Sequence, residues 1–350
     1  LVPEVNESLV AIDDAMKLGY NWIQGPFEMI DSIGVNNFIE RLEKENRSIP
    51  EILHVARNKS FYRIMDNKLQ YLLATGNYKN LKREEGTRRF SEERRTKKPL
   101  FSNKVASFFE INDNIGMVEF HSKANALDGE SMKLLSDAID HSVINHRGMV
   151  IHNDASHFSC GVNLERIAGF IEVGDWDGLD AFLEHFQRTV KKMKYSSIPV
   201  VSAPSGLSIG GGFEVVLHTD ASIYHANSVT GLVESLVGVV PGGGGVKEIL
   251  YRWFDIKKNE TEAAWKTFMN IGYGKTAQSP LQGQELAMFI EGRDEFVMNR
   301  DRLLDGAIIK VDDLKNNYSP TYRGDLSMPG RDIWEKMKEW LMDSHKKGFL

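Results

Sequence analysis

The chain has one cysteine, Cys160, in 350 residues, which excludes an intramolecular disulfide and fits a reducing compartment; the expected localisation is cytoplasmic. No apolar run approaches the length of a membrane-spanning helix. There is no basic-then-apolar leader, and the chain begins Leu1-Val2-Pro3 without Met, so it reads as a fragment or processed piece. Positive charge is also short: 43 Lys and Arg against 49 Asp and Glu leave a formal net charge of −6, so no global basic field attracts a polyanion. Basic residues are not interleaved with aromatics, and no nucleic-acid partner is expected. Phosphate-loop signatures are missing as well, with no Gly-Lys-Ser/Thr ending and no G-x-G-x-x-G between a first strand and helix. His157 and Cys160 lack the paired ligands of a zinc site, so no metal is expected and Cys160 reads as a small buried residue.

What the chain has is glycine in unusual runs. Ser208-Ile209-Gly210-Gly211-Gly212-Phe213-Glu214 comes after an apolar strand, Ile198 to Ala203, and opens a short helix. Three successive glycines suit neither helix nor strand, because each loses backbone freedom that a Cβ would already have restricted. A glycine turn opening a helix aims unpaired N–H groups and the positive dipole end at one point, a place to stabilise a negative oxygen. Twenty positions on, Gly231-Leu232-Val233-Glu234 answers it, and Pro241-Gly242-Gly243-Gly244-Gly245 opens a helix running to Arg252. A carboxylate at Glu214 repels phosphate. Two glutamates after such turns suit the holding of a water and proton transfer to and from carbon, beside an oxyanion site.

In chain order, helices are expected over Glu7–Leu18, from Pro26 to the glycine at 34, and over Asn36–Glu45. A hairpin is expected around Met65-Asp66-Asn67-Lys68. From Lys79 to Lys98, nine basic residues stand against four glutamates, which reads as a solvated linker, or alternatively as a basic flap near phosphates or a docking strap. Strands Val105–Ile111 and Ile115–Phe120 flank a turn at Asn112-Asp113-Asn114, and Asp128 caps a helix over Gly129–His146. Later helices are expected over Gly174–Lys194, Thr261–Ile271, Arg300–Asn316 and Arg331–Lys346, with strands at Gly148–His152 and Ala221–His225.

The order of Asn125-Ala126-Leu127, then Phe158-Ser159-Cys160-Gly161-Val162-Asn163-Leu164, then Gly210–Glu214 and Gly231–Gly245 resembles the crotonase (enoyl-CoA hydratase/isomerase) superfamily. The resemblance implies an α/β fold, the crotonase-like ββα spiral, here with an additional N-terminal α-helical segment. It implies Glu214 and Glu234 as catalytic residues, the backbone N–H groups of Val162 and Gly211 as the oxyanion hole, and CoA binding by Lys123, Ala124, Asn125, Gly161, Asn163 and Leu164. Asn163 stands where the family has Asp. The substrate is an acyl-CoA thioester, with no metal or redox cofactor.

Ala11–Trp22, with Gly25-Pro26-Phe27-Glu28, resembles the C-terminal helical domain of 3-hydroxyacyl-CoA dehydrogenases. The expected organisation is a dehydrogenase-like helical piece at 1–60, a hairpin and basic linker at 61–103, the hydratase domain at 104–316 and a tail helix at 317–350. The natural protein is then a bifunctional β-oxidation enzyme whose missing dehydrogenase part is a partner, with a homo-oligomer possible. The implied activity is reversible syn hydration of trans-2-enoyl-CoA. Isomerisation of Δ3 to Δ2 enoyl-CoA, or a non-catalytic acyl-CoA-binding scaffold, stand as alternatives.

Overall fold

The computed structural model describes residues 2–20, 22–111, 114–316 and 318–348. They form two compact units, one of residues 1–85 and 90–98, the other of residues 86–89 and 99–350.

The first unit begins with helices α1 (Leu9–Tyr20), α2 (Pro26–Ile33), α3 (Val35–Lys44) and α4 (Glu51–Val55). Proline at the first position of α2 and Gly34 after its end bound that helix as expected. Next comes a meander, β1 (Tyr62–Met65), β2 (Lys68–Leu72) and β3 (Tyr78–Asn80). Asp66 and Asn67 both take positive φ and close β1 onto β2 with Met65 opposite Lys68, the hairpin read from the sequence.

The meander is not part of a linker. Leu69, Tyr71 and Leu72 share one core with Leu9, Phe27 and Ile39. Buried Asp13 accepts from Phe27 N–H and the Tyr62 hydroxyl, and Asp31 accepts from Phe61 and Tyr62 N–H. The basic stretch is anchored at a few residues rather than wholly solvated, while Lys79, Lys82, Arg94, Arg95 and Lys98 are exposed. Arg83 pairs with both Asp14 and Glu92, Phe90 is fully buried beside the short helix α5 (Phe90–Glu93), and Arg89 pairs with Asp301 at 2.6 Å. Composition indicated solvent here because it counts charges without showing that opposite charges meet.

The second unit carries β4 (Phe101–Ser102), β5 (Ala106–Ile111), β6 (Ile115–Phe120), α6 (Gly129–Asn145), β7 (Gly148–His152), α7 (Leu164–Val173), α8 (Trp176–Lys194), β8 (Val200–Ala203), β9 (Leu207–Ile209), α9 (Gly211–Leu217), β10 (Ala221–His225) and β11 (Val229–Gly231). It continues with α10 (Gly245–Lys257), α11 (Glu260–Gly272), β12 (Thr276–Ala277), α12 (Pro280–Glu285), β13 (Glu295–Val297), α13 (Leu303–Lys315) and α14 (Arg331–Lys346). Of the turn expected between β5 and β6, Asn112 and Asp113 lie outside the described residues.

Among the described residues the main sheet runs β13-β10-β8-β7-β6-β5-β4, parallel from β6 through β13 and antiparallel at the β4–β5–β6 edge. All six residues of β6 are buried, as a strand covered on both faces requires. Helix α13 packs across β7, β8 and β10, and a Cβ on Gly148 would lie 2.3 Å from Val311 Cγ1, so the close approach needs glycine there. A second sheet, β12-β11-β9, pairs β9 with β11 in parallel.

The helix expected from Gly174 starts at Trp176, because Gly174 takes the left-handed cap that ends α7 and the Asp175 side chain caps α8 by accepting from Gly178 N–H. Helix α7 was not foreseen. The tail is not a separate domain: the α14 residue Trp340 packs edge-on against Trp265, Phe268 and Tyr273 within this unit.

Candidate active site

Four extended segments lie side by side in parallel and bring the candidate residues to one end. Ile209 of β9 pairs with Gly231 of β11, so the backbone leaving one strand emerges next to the backbone leaving the other. Glu214 comes after β9 on α9, and Glu234 comes after β11 at the start of a 3-10 turn, Glu234–Val237. On the other flank, Ser159 bridges Ser208, with Ser159 N–H donating to Leu207 O and Ile209 N–H to Ser159 O. Leu127 then bridges Val162 through Leu127 N–H to Gly161 O and Asn163 N–H to Leu127 O.

The two candidate oxyanion donors meet as a result. The bridge to Leu127 uses the amides on either side of Val162, so the Val162 N–H faces away from that ladder. Gly211 is the first residue of α9, where an N–H has no intrahelical acceptor. A Cβ built on Gly211 would lie 3.4 Å from Val162 N and 2.8 Å from Val162 Cγ2. Gly161, with φ of +95°, and Gly210, with φ of +54°, occupy conformations that a side chain would strain.

Every residue of α9 is buried, which makes a carboxylate there an exception needing partners. Glu214 is 2% exposed, and its Oε1 accepts from Gly243 N–H and Gly245 N–H, both at 2.8 Å. Side chains at those glycines would collide with it, since a Cβ on Gly243 would sit 2.5 Å from Glu214 Oε2 and one on Gly245 2.9 Å from Glu214 Cγ. Burial pushes the Glu214 carboxyl up to about 7, the Glu234 charge adds to the rise, and the two amide bonds oppose it.

Glu234 is half-buried, its Oε1 3.4 Å from where a Cβ on Gly210 would stand. Its Oε2 is buried with no hydrogen-bond partner among the described residues, and burial raises its pKa as well. An acceptor left unpaired at this cost marks a functional position more than a structural one.

The remaining candidates divide by role. Lys123 and Ala124 are exposed, and Cys160 N–H donates to Ala124 O, tying that turn to the oxyanion segment. Asn125 is 3% exposed and committed inward, its side chain donating to His157 O at 2.8 Å, its N–H to Ser122 O, and its carbonyl accepting from Ser159 Oγ. The Asn163 side chain caps α7 by accepting from Glu165 N–H, a task Asn and Asp perform alike, which accounts for Asn in place of the family Asp. Leu164 is exposed at the start of α7. Cys160 is half-buried, with its thiol pKa raised by burial, unlike an activated nucleophile. Among the described residues no cluster of three or more His, Cys, Asp or Glu side chains is placed to hold a metal, and no helix is long and apolar enough to cross a membrane.

Sequence reasoning missed Gly243 and Gly245 as partners of Glu214, reading the glycine run only as a helix opener. The signal was present, because four glycines exceed what a helix start requires. Phe186 was also missed as the ring against Gly211 and Gly243, since its helical spacing reads only as core.

Residues 110–265 match the family model described as enoyl-CoA hydratase/isomerase. The fold agrees with that of a crystal structure of an enoyl-CoA hydratase from a Polaromonas species, at a TM-score of 0.51 and 19% identity, covering 59% of this chain and 77% of that one. Among curated proteins, the chain is 32% identical over 335 residues to a Bacillus subtilis protein named "Probable 3-hydroxyacyl-CoA dehydrogenase", covering 94% of this chain and 42% of that protein. It is 29% identical over 255 residues to a Rickettsia felis protein named "Putative fatty acid oxidation complex trifunctional enzyme", covering 72% of this chain and 32% of that protein. The chain thus spans less than half the length of these relatives.

The raised pKa of Glu214 has a stability consequence. Its folded value, about 7, lies above the ordinary 4.5, so the folded state binds the proton more tightly than the unfolded chain. That stabilisation is fully present below pH 4.5 and is lost as pH rises through about 7, at a cost on the order of 3 kcal/mol. Glu214→Gln, which removes the charge and keeps the acceptor oxygen, is therefore expected to melt above wild type at pH 8 and close to it at pH 4.5. Equal melting shifts at the two pH values would contradict this sign.

Proposed function

We propose that the chain is an enoyl-CoA hydratase, adding water reversibly and syn across a trans-2-enoyl-CoA thioester. The observation that carries the reading is a buried carboxylate, Glu214, held by two backbone amides at the end of parallel strands that also deliver Glu234 and the Val162 and Gly211 N–H groups. In this reading the two N–H groups hold the thioester oxygen as it gains negative charge. Glu214 takes a proton from the water attacking C3, and Glu234 supplies the proton at C2. The opening around Lys123, Ala124, Gly161 and Asn163 takes the CoA moiety, the latter two through backbone, with Leu164 beside them.

A base must be ionised and an acid protonated to act, so kcat/KM for hydration is expected to rise with pH through about 7, the value to which burial pushes Glu214, and to fall at higher pH as Glu234 loses its proton. A rate independent of pH from 5 to 8 would count against Glu214 as the base.

Δ3,Δ2-isomerisation is the second reading, favoured by the unpartnered Oε2 of Glu234, since a single free carboxylate can move one proton along an allylic system. The test is to supply trans-2-enoyl-CoA and 3-enoyl-CoA separately to wild type and Glu234→Gln. Hydration of trans-2-enoyl-CoA by wild type that is lost in Glu234→Gln supports the two-carboxylate hydratase; conversion of 3-enoyl-CoA by wild type assigns isomerisation to Glu234 if it is lost in the variant and to Glu214 alone if it is retained.

The similarity extends over 94% of the chain to a protein named as a 3-hydroxyacyl-CoA dehydrogenase, an extent that takes in most of the first unit. It supports the first unit as the helical C-terminal piece of such a dehydrogenase, and the complete protein as a bifunctional enzyme of fatty-acid β-oxidation.

A further inference from the structure

One turn beyond Glu214, capping the C-terminal end of α9, stands His218, 1% exposed. Its Nδ1 is 2.7 Å from the backbone oxygen of Glu214, and a carbonyl can only accept, so Nδ1 carries the proton and donates. The ring is neutral at pH 7, burial having pushed its pKa down to about 4. Its Nε2 faces Glu248 Oε1 at 3.6 Å. Glu248 is itself 2% exposed on α10, paired through Oε2 with Lys194 from α8 and standing 3.1 Å from Lys247 Nζ through Oε1.

The same ring lies against the turn that holds Glu214. A Cβ on Gly244 would sit 3.1 Å from both Cε1 and Nε2 of His218. On either side of Gly244 are Gly243 and Gly245, whose amides bond Glu214 Oε1. Residues from the ends of α8 and α9 and from α10 thus meet behind the glycine turn, and the hydration chemistry requires none of His218, Glu248 and Lys194 to touch substrate.

We propose that His218, through its Nδ1–H bond to the Glu214 backbone and its packing against Gly244, is a positioning residue that fixes the Gly243–Gly245 turn against the Glu214 backbone and so keeps the two amide donors aimed at the Glu214 carboxylate. The proposal rests on the reading of Glu214 as the base for its catalytic consequence, though not for its geometry. The charged groups facing His218 are Glu248, Lys247 and Lys194, and the one facing the Glu214 carboxylate is Glu234.

The test uses the full chain with glutamate carboxyls labelled with carbon-13 and the Glu214 signal assigned by its loss in Glu214→Gln. His218→Leu should raise the Glu214 titration midpoint by about one pH unit, because amide donors that favour the ionised form slacken. It should also lower kcat for crotonyl-CoA hydration by about tenfold while KM stays within about twofold. His218→Asn, whose amide N–H can replace the Nδ1 donor, should restore both. A purely structural His218 would lower melting temperature in both variants and leave the midpoint in place, and that result overturns the proposal. Should His218→Leu not fold, the midpoint is read in His218→Phe, which keeps a ring against Gly244 and lacks the Nδ1 donor, where an upward shift supports the proposal and an unchanged value overturns it. A wild type that does not hydrate, combined with a midpoint that moves in His218→Leu but not in His218→Asn, would remove the hydratase reading and leave the positioning intact.

Discussion

Glu214→Gln is expected to lower kcat for hydration of crotonyl-CoA by roughly 10³, with KM little changed. The substitution keeps the shape of the side chain and the oxygen that accepts from Gly243 and Gly245, and removes only the ability to take a proton. It is also the variant expected to gain stability at pH 8, so loss of rate would accompany a more stable fold. That combination separates a chemical role from damage to folding, since a misfolded variant loses both. Glu234→Gln should cost on the order of 10² to 10⁴ by the same reasoning, and the double variant less than the product of the two, because the carboxylates serve one reaction and interact.

Gly211→Val is expected to reduce turnover by at least about 10², the typical loss of one oxyanion donor, and to do so without altering either carboxylate. The position tolerates no side chain: its Cβ would meet Val162 Cγ2 at 2.8 Å and both Val162 N and Phe186 Cζ at 3.4 Å. Relief requires the two segments to move apart, and the distance between the Val162 and Gly211 amides is what a thioester oxygen must match. Steady-state kinetics with crotonyl-CoA, beside a melt to confirm folding, measure the effect. A folded Gly211→Val enzyme at near wild-type rate would remove Gly211 from the oxyanion site.

The carboxylates and amides were legible in the sequence because they sit in local motifs whose glycines have no other explanation. Glycine at 161, 210 and 211 answers to backbone geometry, and backbone geometry is written locally. What holds Glu214 was not legible, because Gly243 and Gly245 lie far along the chain and approach only after β9 and β11 pair. The His218–Glu248–Lys194 contact is of the same kind, with residues from the ends of α8 and α9 and from α10 that no spacing relates. The meander at Tyr62–Asn80 was seen as a hairpin but misplaced in a linker, since the decisive bonds, Asp13 and Asp31 to residues 61 and 62, span 30 positions or more. Charge-rich Lys79–Lys98 failed for a related reason: whether a basic residue is solvated or paired depends on distant acids such as Asp14 and Asp301. Helix α7 was missed although Leu164, Ile167, Ala168 and Ile171 recur at helical spacing between the Asn163 cap and the Gly174 stop; none of its residues is buried.

The account turns on whether Glu214 and Glu234 act together on an enoyl thioester. The most direct measurement is loss of the conjugated enoyl-thioester absorbance when wild type, Glu214→Gln and Glu234→Gln are each mixed with crotonyl-CoA and with a long-chain trans-2-enoyl-CoA. The expected result is rapid loss with wild type on at least one chain length and a rate lower by about 10² or more in each variant. A folded wild type that leaves the absorbance unchanged at both chain lengths, or variants that match it, would contradict the two-carboxylate hydratase.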